Sequence, residues 1–147
     1  MKKALIELGK AQIDEKLASI ELELKNLNES SYSETKSSMG DKYETSREMI
    51  TQERHKFESL KALLQQQRSF LTGIDVEKPY DKVEFGALVH TDNATYFIST
   101  ALGKMVVGNQ VVFAVSANSP IAQSMLGKGV GSAVQFNDQS FVVQSIA

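Results

Sequence analysis

The chain has 147 residues and a net charge of −2, and it contains no cysteine, so two small domains are possible but disulfides cannot hold either one. This near-neutral balance excludes the strongly basic surface of a protein that binds nucleic acid on its own. No stretch approaches the roughly 20 apolar residues of a membrane span. We therefore expect a cytoplasmic protein.

Charge divides the chain into two unequal parts. Residues 1–78 carry 13 basic and 14 acidic side chains, whereas residues 79–147 carry only 3 and 4, which together account for the chain totals of 16 and 18. A charge-rich, glycine-poor segment is typical of a solvated coiled coil, and an apolar segment rich in glycine and valine is typical of a small sheet domain. We predict a helical hairpin over residues 1–75 and a second domain over residues 76–147.

The first predicted element is a long helix whose apolar residues show the 3-4 spacing of a coiled-coil seam. This seam comprises Ile6, Ile13, Leu17, Ile20, Leu24 and Leu27. A second helix repeats the sevenfold spacing more weakly. Its seam comprises Tyr43, Ile50, Phe57, Leu64 and Leu71, with Leu60 in an alternate position. Two such helices in one chain most simply pair antiparallel.

Basic residues of the second helix are interspersed with acids, which favours a solvated face, although some could meet RNA or an acidic protein surface. They are Arg47, Arg54, Lys56, Lys61 and Arg68.

A Ser-rich stretch after Asn28 loses the apolar repeat, so the turn of the hairpin must fall before Gly40. Asp41 and Glu44 follow at once, three residues apart. This spacing fits a helix start at which Asp41 is the N-cap and Glu44 completes a capping box. It also fits an exposed carboxylate pair, because Mg²⁺ accepts one or two carboxylates and fills its shell with water and phosphate oxygens. Tyr43 is either a seam residue or an exposed contact at this tip.

Beyond the hairpin, short β-branched and aromatic runs are separated by Asn, Gly and Asp turn signals. They predict a compact, mainly antiparallel sheet. The runs are residues 87–89, 96–98, 105–107, 111–115 and 141–143. One short helix is inserted, where Asn118 or Ser119 can act as the cap, Pro120 suits the first turn and Gly127 suits the exit.

The chain lacks the motifs of a self-contained enzyme. It has no glycine-rich phosphate loop, no nucleophile elbow and no Cys/His metal spacing. His55 and His90 fall in different predicted domains, and neither is assigned to a metal site. The absence of Trp and of a clear aromatic pocket pattern argues against isomerase chemistry in the second domain.

Two segments together resemble the Gre family of bacterial transcript cleavage factors. Gly40, Asp41 and Glu44 resemble the family's acidic tip, which follows a glycine and begins the second arm of a coiled-coil hairpin. The segment 119–131 resembles its C-terminal signature, which lies in a domain of the fold shared with FK506-binding isomerases. The matching residues there are Ser119, Pro120, Ile121, Ala122, Leu126, Gly127, Lys128 and Gly131.

The resemblance implies an α+β protein: an antiparallel coiled-coil hairpin followed by a small FKBP-like antiparallel sheet domain with one short helix. It implies that the second domain docks on RNA polymerase through Ser119, Pro120, Ile121 and Ala122, and that the hairpin enters the secondary channel. Asp41 and Glu44, supported by Gly40, Lys42 and Tyr43, would share Mg²⁺ with the polymerase and stimulate cleavage of backtracked RNA.

Several further expectations follow from the same resemblance. The protein would be an accessory factor and not an enzyme, would bind no cofactor when isolated, would meet transcript RNA only within the polymerase complex, and would bind as a monomer. Two alternatives remain at this point. One is a channel-binding regulator of the same architecture without cleavage activity, and the other is a coiled-coil adaptor.

Overall fold

The computed structural model describes residues 1–36 and 40–147, and the side chains of residues 1–29 and 44–147. Two long helices, α1 (Lys2–Lys36) and α2 (Gly40–Thr72), precede six strands. The strands are β1 (Leu88–Thr91), β2 (Thr95–Ser99), β3 (Gly103–Val107), β4 (Gln110–Ser116), β5 (Ala133–Phe136) and β6 (Gln139–Ile146). A short helix, α3 (Pro120–Met125), lies between β4 and β5. The predicted α+β class, a helical hairpin followed by a small sheet with one short helix, is confirmed.

The described chain packs as two compact units. The first contains Met1–Gly9 and Ser69–Ala147, and the second contains Lys10–Arg68. The first residues of α1 and the last residues of α2 therefore belong to the unit that holds the sheet. The predicted boundary after residue 75 concerns which segments fold by themselves, and it stays a prediction.

In the second unit, two ion pairs show that α1 and α2 run antiparallel. Arg68 Nε donates to Asp14 Oδ1 over 2.7 Å, and Lys61 forms an ion pair with Glu21. A step of seven residues forward on α1, from Asp14 to Glu21, corresponds to a step of seven residues backward on α2, from Arg68 to Lys61. With this register, the seven-residue repeats of α1 and α2 stay aligned along the hairpin.

The seam of α1 follows the predicted spacing, whereas that of α2 differs in its alternate positions. Ile13, Ile20 and Leu64 are buried, but Leu60 is 43% exposed. The half-buried residues four positions after a seam residue are Arg54, Lys61 and Arg68, and Gln67 is also half-buried. The placement of Leu60 in the seam is therefore wrong. Of the five basic residues predicted to favour a solvated face, Arg47 and Lys56 are exposed, whereas Arg54, Lys61 and Arg68 are half-buried. Long basic side chains can lay their methylene stems along a seam and keep the charged end at its edge.

The Asp14–Arg68 pair predicts a pH-dependent contribution to stability. The hydrogen bond from Arg68 lowers the pKa of Asp14, so the pair's contribution is present above the unfolded-state pKa of about 3.9 and is lost as pH falls through the folded-state value. Arg68→Gln should lower the Tm by at most a few degrees near pH 7. This difference should shrink as pH falls below about 4. Thermal unfolding followed by circular dichroism measures it, and the exposed Lys56→Gln is the control; an equal effect of both variants at all pH values would contradict the prediction.

The six strands form one sheet in the order β3-β4-β2-β1-β6-β5. Neighbours pair antiparallel except β2 and β4, which run parallel with Phe97 opposite Ala114, so the sheet is mixed. Every predicted run contributes to a strand, whereas β5 was not predicted from the sequence. It pairs with β6 across a two-residue turn at Asn137 and Asp138, whose φ angles of 49° and 64° are those of the type I′ hairpin turn.

Both faces of the sheet are buried at β2. Along β2, Tyr96 and Ile98 point into a cluster that includes Ala122 and Met125 of α3. Phe97 lies on the opposite face because successive strand residues alternate, and it too is fully buried. On the same unit, Gly9 of α1 packs so closely that a Cβ atom there would lie 2.8 Å from Leu102 Cδ1, 3.0 Å from Leu71 Cδ1 and 3.7 Å from Met105 Cε.

Candidate functional site

The segment predicted to dock on a partner is held by a capped short helix. Ser119 has extended backbone angles, its Oγ accepts from Ala122 N over 3.3 Å, and it donates to Ser116 O over 2.6 Å. Pro120 occupies the first helical position, where its missing N–H costs nothing. Of the two predicted caps, Ser119 is therefore the one observed. Gly127, with φ +82°, follows the C-cap as predicted.

The four predicted docking residues differ in their access to solvent. Pro120 is exposed, and Ser119 and Ile121 are half-buried. Ala122 is fully buried in the core beneath α3. Pro120 and Ile121 are therefore the residues of this segment that can contact a partner. Ser119 and Ala122 fix the position of the helix.

Ile121 also lines a shallow apolar pocket of about 330 Å³ on the sheet unit. Four aromatic rings line it, and they come from four strands: Tyr96, Phe113, Phe136 and Phe141. The ring of Tyr96 lies 6.1 Å from those of Phe113 and Phe141, between centroids. The side chains of Asn93 and Gln139 supply polar groups. The pocket suits a side chain that is apolar in its body and hydrogen-bonded at its end.

An aromatic pocket is present in this domain although the sequence has no clear pattern for one. The four pocket aromatics lie on different strands and are not adjacent in the sequence, and only the parallel pairing of β2 with β4 sets Tyr96 opposite Phe113. Burial raises the pKa of Tyr96, against a smaller opposing effect of a hydrogen bond with Asn93. The Tyr96 hydroxyl therefore stays protonated at neutral pH and can donate a hydrogen bond.

The predicted acidic tip lies at the start of α2. The structure describes α2 from Gly40 onward, so Asp41 lies within the helix and is not its N-cap. Glu44 is exposed. The side chains of Asp41, Lys42 and Tyr43 also lie outside the described residues, and the proposed roles of all five stay predictions.

Residues 1–29 and 44–147 contain no group of three or more His, Cys, Asp or Glu side chains that could hold a metal ion by themselves. His90 Nδ1 instead lies 3.1 Å from Thr95 Oγ1, and His55 is exposed. None of the helices, as far as the structure describes them, has the length and apolar character needed to cross a bilayer.

Comparison with known proteins gives no family by sequence. No family model matches the chain, and no curated protein does. Among solved structures, the chain is similar to one of the transcription factor Gfh1, with a TM-score of 0.38, 18% identity and coverage of 94% of this chain and 92% of that one. It is similar to Thermus aquaticus Gfh1 with a TM-score of 0.35, 17% identity and coverage of 95% and 94%.

Proposed function

We propose that this chain is a Gre-like accessory factor of transcription that binds RNA polymerase and stimulates the cleavage of backtracked RNA. The observation that carries the proposal is the position of the acidic pair: Asp41 and Glu44 lie in the first turns of α2 in an antiparallel hairpin, and Glu44 is exposed. The polymerase is the catalyst, and this chain supplies carboxylates to it. A cytoplasmic location and binding as a monomer belong to the same proposal.

The donor set suits a magnesium ion that is shared with a partner. Asp41 and Glu44 are three residues apart on one helix, which places them on neighbouring turns of one face. Two carboxylates leave most positions of an octahedral shell to water and to the partner's ligands, as Mg²⁺ prefers. When bound, the ion would lower the pKa of an attacking water and stabilise charge on the phosphodiester. The part of this chain is to hold the two carboxylates at the end of an ion-paired hairpin.

Docking would use the sheet unit. Pro120 and Ile121 present apolar surface beside the pocket that Tyr96, Phe113 and Phe141 line. Apolar and aromatic surface with a few polar groups around it is the usual composition of an interface centre. Replacing Ile121 by serine should therefore weaken polymerase binding without loss of the fold, because this side chain is only half-buried.

The decisive experiment is a cleavage assay on backtracked complexes with purified polymerase and Mg²⁺. The wild-type chain is expected to shorten the transcript, and Asp41→Asn with Glu44→Gln is expected to reduce the rate by about 100-fold, since a catalytic metal is worth several kcal/mol in such a transition state. Binding to polymerase should be unchanged. Glu48→Gln, an exposed acid one turn further along α2, should cleave like the wild type.

Absence of shortening by the wild type above polymerase alone would contradict the cleavage activity. Inhibition of promoter transcription that persists in the double variant would identify a channel-binding regulator. Failure to co-purify with polymerase would instead favour the coiled-coil adaptor.

A further inference from the structure

The hairpin of the second unit is packed unequally along its length. Its proximal half, residues 10–21 and 61–68, contains three buried seam residues and both ion pairs between the helices. Its distal half, residues 22–29 and 44–60 of the described chain, contains no fully buried residue. The distal seam residues are only half-buried: Leu24, Leu27, Ile50 and Phe57.

The series of ion pairs also ends at this division. Arg54 is seven residues before Lys61 and occupies the same heptad position on α2. Seven residues beyond Glu21, where the register requires the next acid, α1 carries Asn28. Arg54 forms no ion pair among the described residues. Its Nε is buried and has no hydrogen-bond partner among the described residues, so the desolvation of that atom is uncompensated.

We propose that the distal half of the hairpin opens as a separate unit, and that the Glu21–Lys61 ion pair is where the opening stops. Local opening costs least where few apolar groups are buried and where a buried polar group lacks a partner, because opening then loses little packing and restores water to that group. Both conditions hold in the distal half. Neither holds in the proximal half, where Ile13, Ile20 and Leu64 are buried.

This device goes beyond the proposed function and does not depend on it. A partner that requires the closed hairpin binds with an affinity reduced by the fraction of molecules that are open. Because Asn28 cannot form an ion pair with Arg54, the distal half opens more often, and this lowers the affinity of any partner that requires it closed. An acid at residue 28 would reverse this loss of affinity.

Hydrogen exchange measured by mass spectrometry on the full chain tests the proposal, with rates corrected for each peptide's intrinsic exchange. Amides of the distal half should exchange at least about tenfold faster than those of the proximal half. Asn28→Glu should slow distal exchange by about three- to tenfold and leave proximal exchange unchanged. Asn26→Glu adds the same charge two residues away on α1, and it should have no such effect. Lys61→Gln should extend fast exchange into the proximal half.

Similar exchange in both halves of the wild type, within about twofold, would overturn the proposal. Equal slowing by Asn28→Glu and Asn26→Glu would also overturn it, because the effect would then be a general one of added charge. These readouts involve no polymerase, so their failure is distinct from a failure of the proposed function.

Discussion

Replacing Gly86 by alanine is expected to lower the free energy of unfolding of the first unit by about 2–4 kcal/mol. Gly86 has φ +92°, a conformation that residues with a Cβ rarely adopt. A Cβ there would overlap the Tyr80 hydroxyl and lie 3.3 Å from Tyr80 Cζ. The backbone has little room to move, because Gly86 N donates to Ile98 O over 2.7 Å. Urea unfolding followed by circular dichroism measures the loss.

Two companion variants separate the backbone cost from the steric overlap. Gly103 also has positive φ, +74°, but a Cβ there meets nothing within 4 Å, so Gly103→Ala should cost only the backbone component, about 1 kcal/mol. Tyr80→Phe keeps the ring over which Lys2 Nζ lies at 4.2 Å and removes the hydroxyl. The double variant with Gly86→Ala should recover at least about 1 kcal/mol. Equal losses in Gly86→Ala and Gly103→Ala would show that Tyr80 does not cause the effect.

The hairpin was predictable because its signal repeats. Apolar residues every seven positions mark a helix seam whatever surrounds it, and Ile13, Ile20 and Leu64 are buried as that pattern requires. Hydrophobicity did not predict the alternate seam positions of α2, because Leu60 is exposed whereas Lys61 is half-buried at the seam. The opposing helix decides that choice, because Glu21 offers Lys61 an ion pair.

In the sheet unit too, some features follow from neighbouring residues, whereas others depend on contacts between residues far apart in the sequence. The cap and the helix start at Pro120 depend on neighbouring residues, so the sequence predicted the start and narrowed the cap to Asn118 or Ser119. Strand β5 has only four residues and lies at the edge of the sheet, and it was not predicted. The pocket depends on which strands pair, so Tyr96 and Phe113 could not be brought together without the topology.

Removing residues 1–75 is expected to abolish cooperative folding of the sheet, although the composition of the chain suggested a boundary there. The first unit includes the start of α1 and the end of α2. Gly9 and Leu71 lie in the same packed region as Leu102 and Met105. Burial of each large aliphatic side chain contributes about 1.5–3 kcal/mol. The fragment 76–147 would lose four such side chains, and their combined contribution approaches the total stability of a small domain, about 5–15 kcal/mol. They are Leu5, Ile6, Leu71 and Ile74.

The matched control is a chain that keeps those four residues and loses only the part of the hairpin beyond residues 20 and 62. Deleting residues 21–61 and joining residues 20 and 62 through a Gly/Ser turn retains Ile13, Leu64 and the Asp14–Arg68 pair in register. This shortened chain should show dispersed amide resonances and a single sharp thermal transition, whereas the fragment 76–147 should show neither. A fragment 76–147 that unfolds cooperatively, with a Tm within a few degrees of the full chain, would show that the sheet needs neither helix and that the division after residue 75 is a true domain boundary.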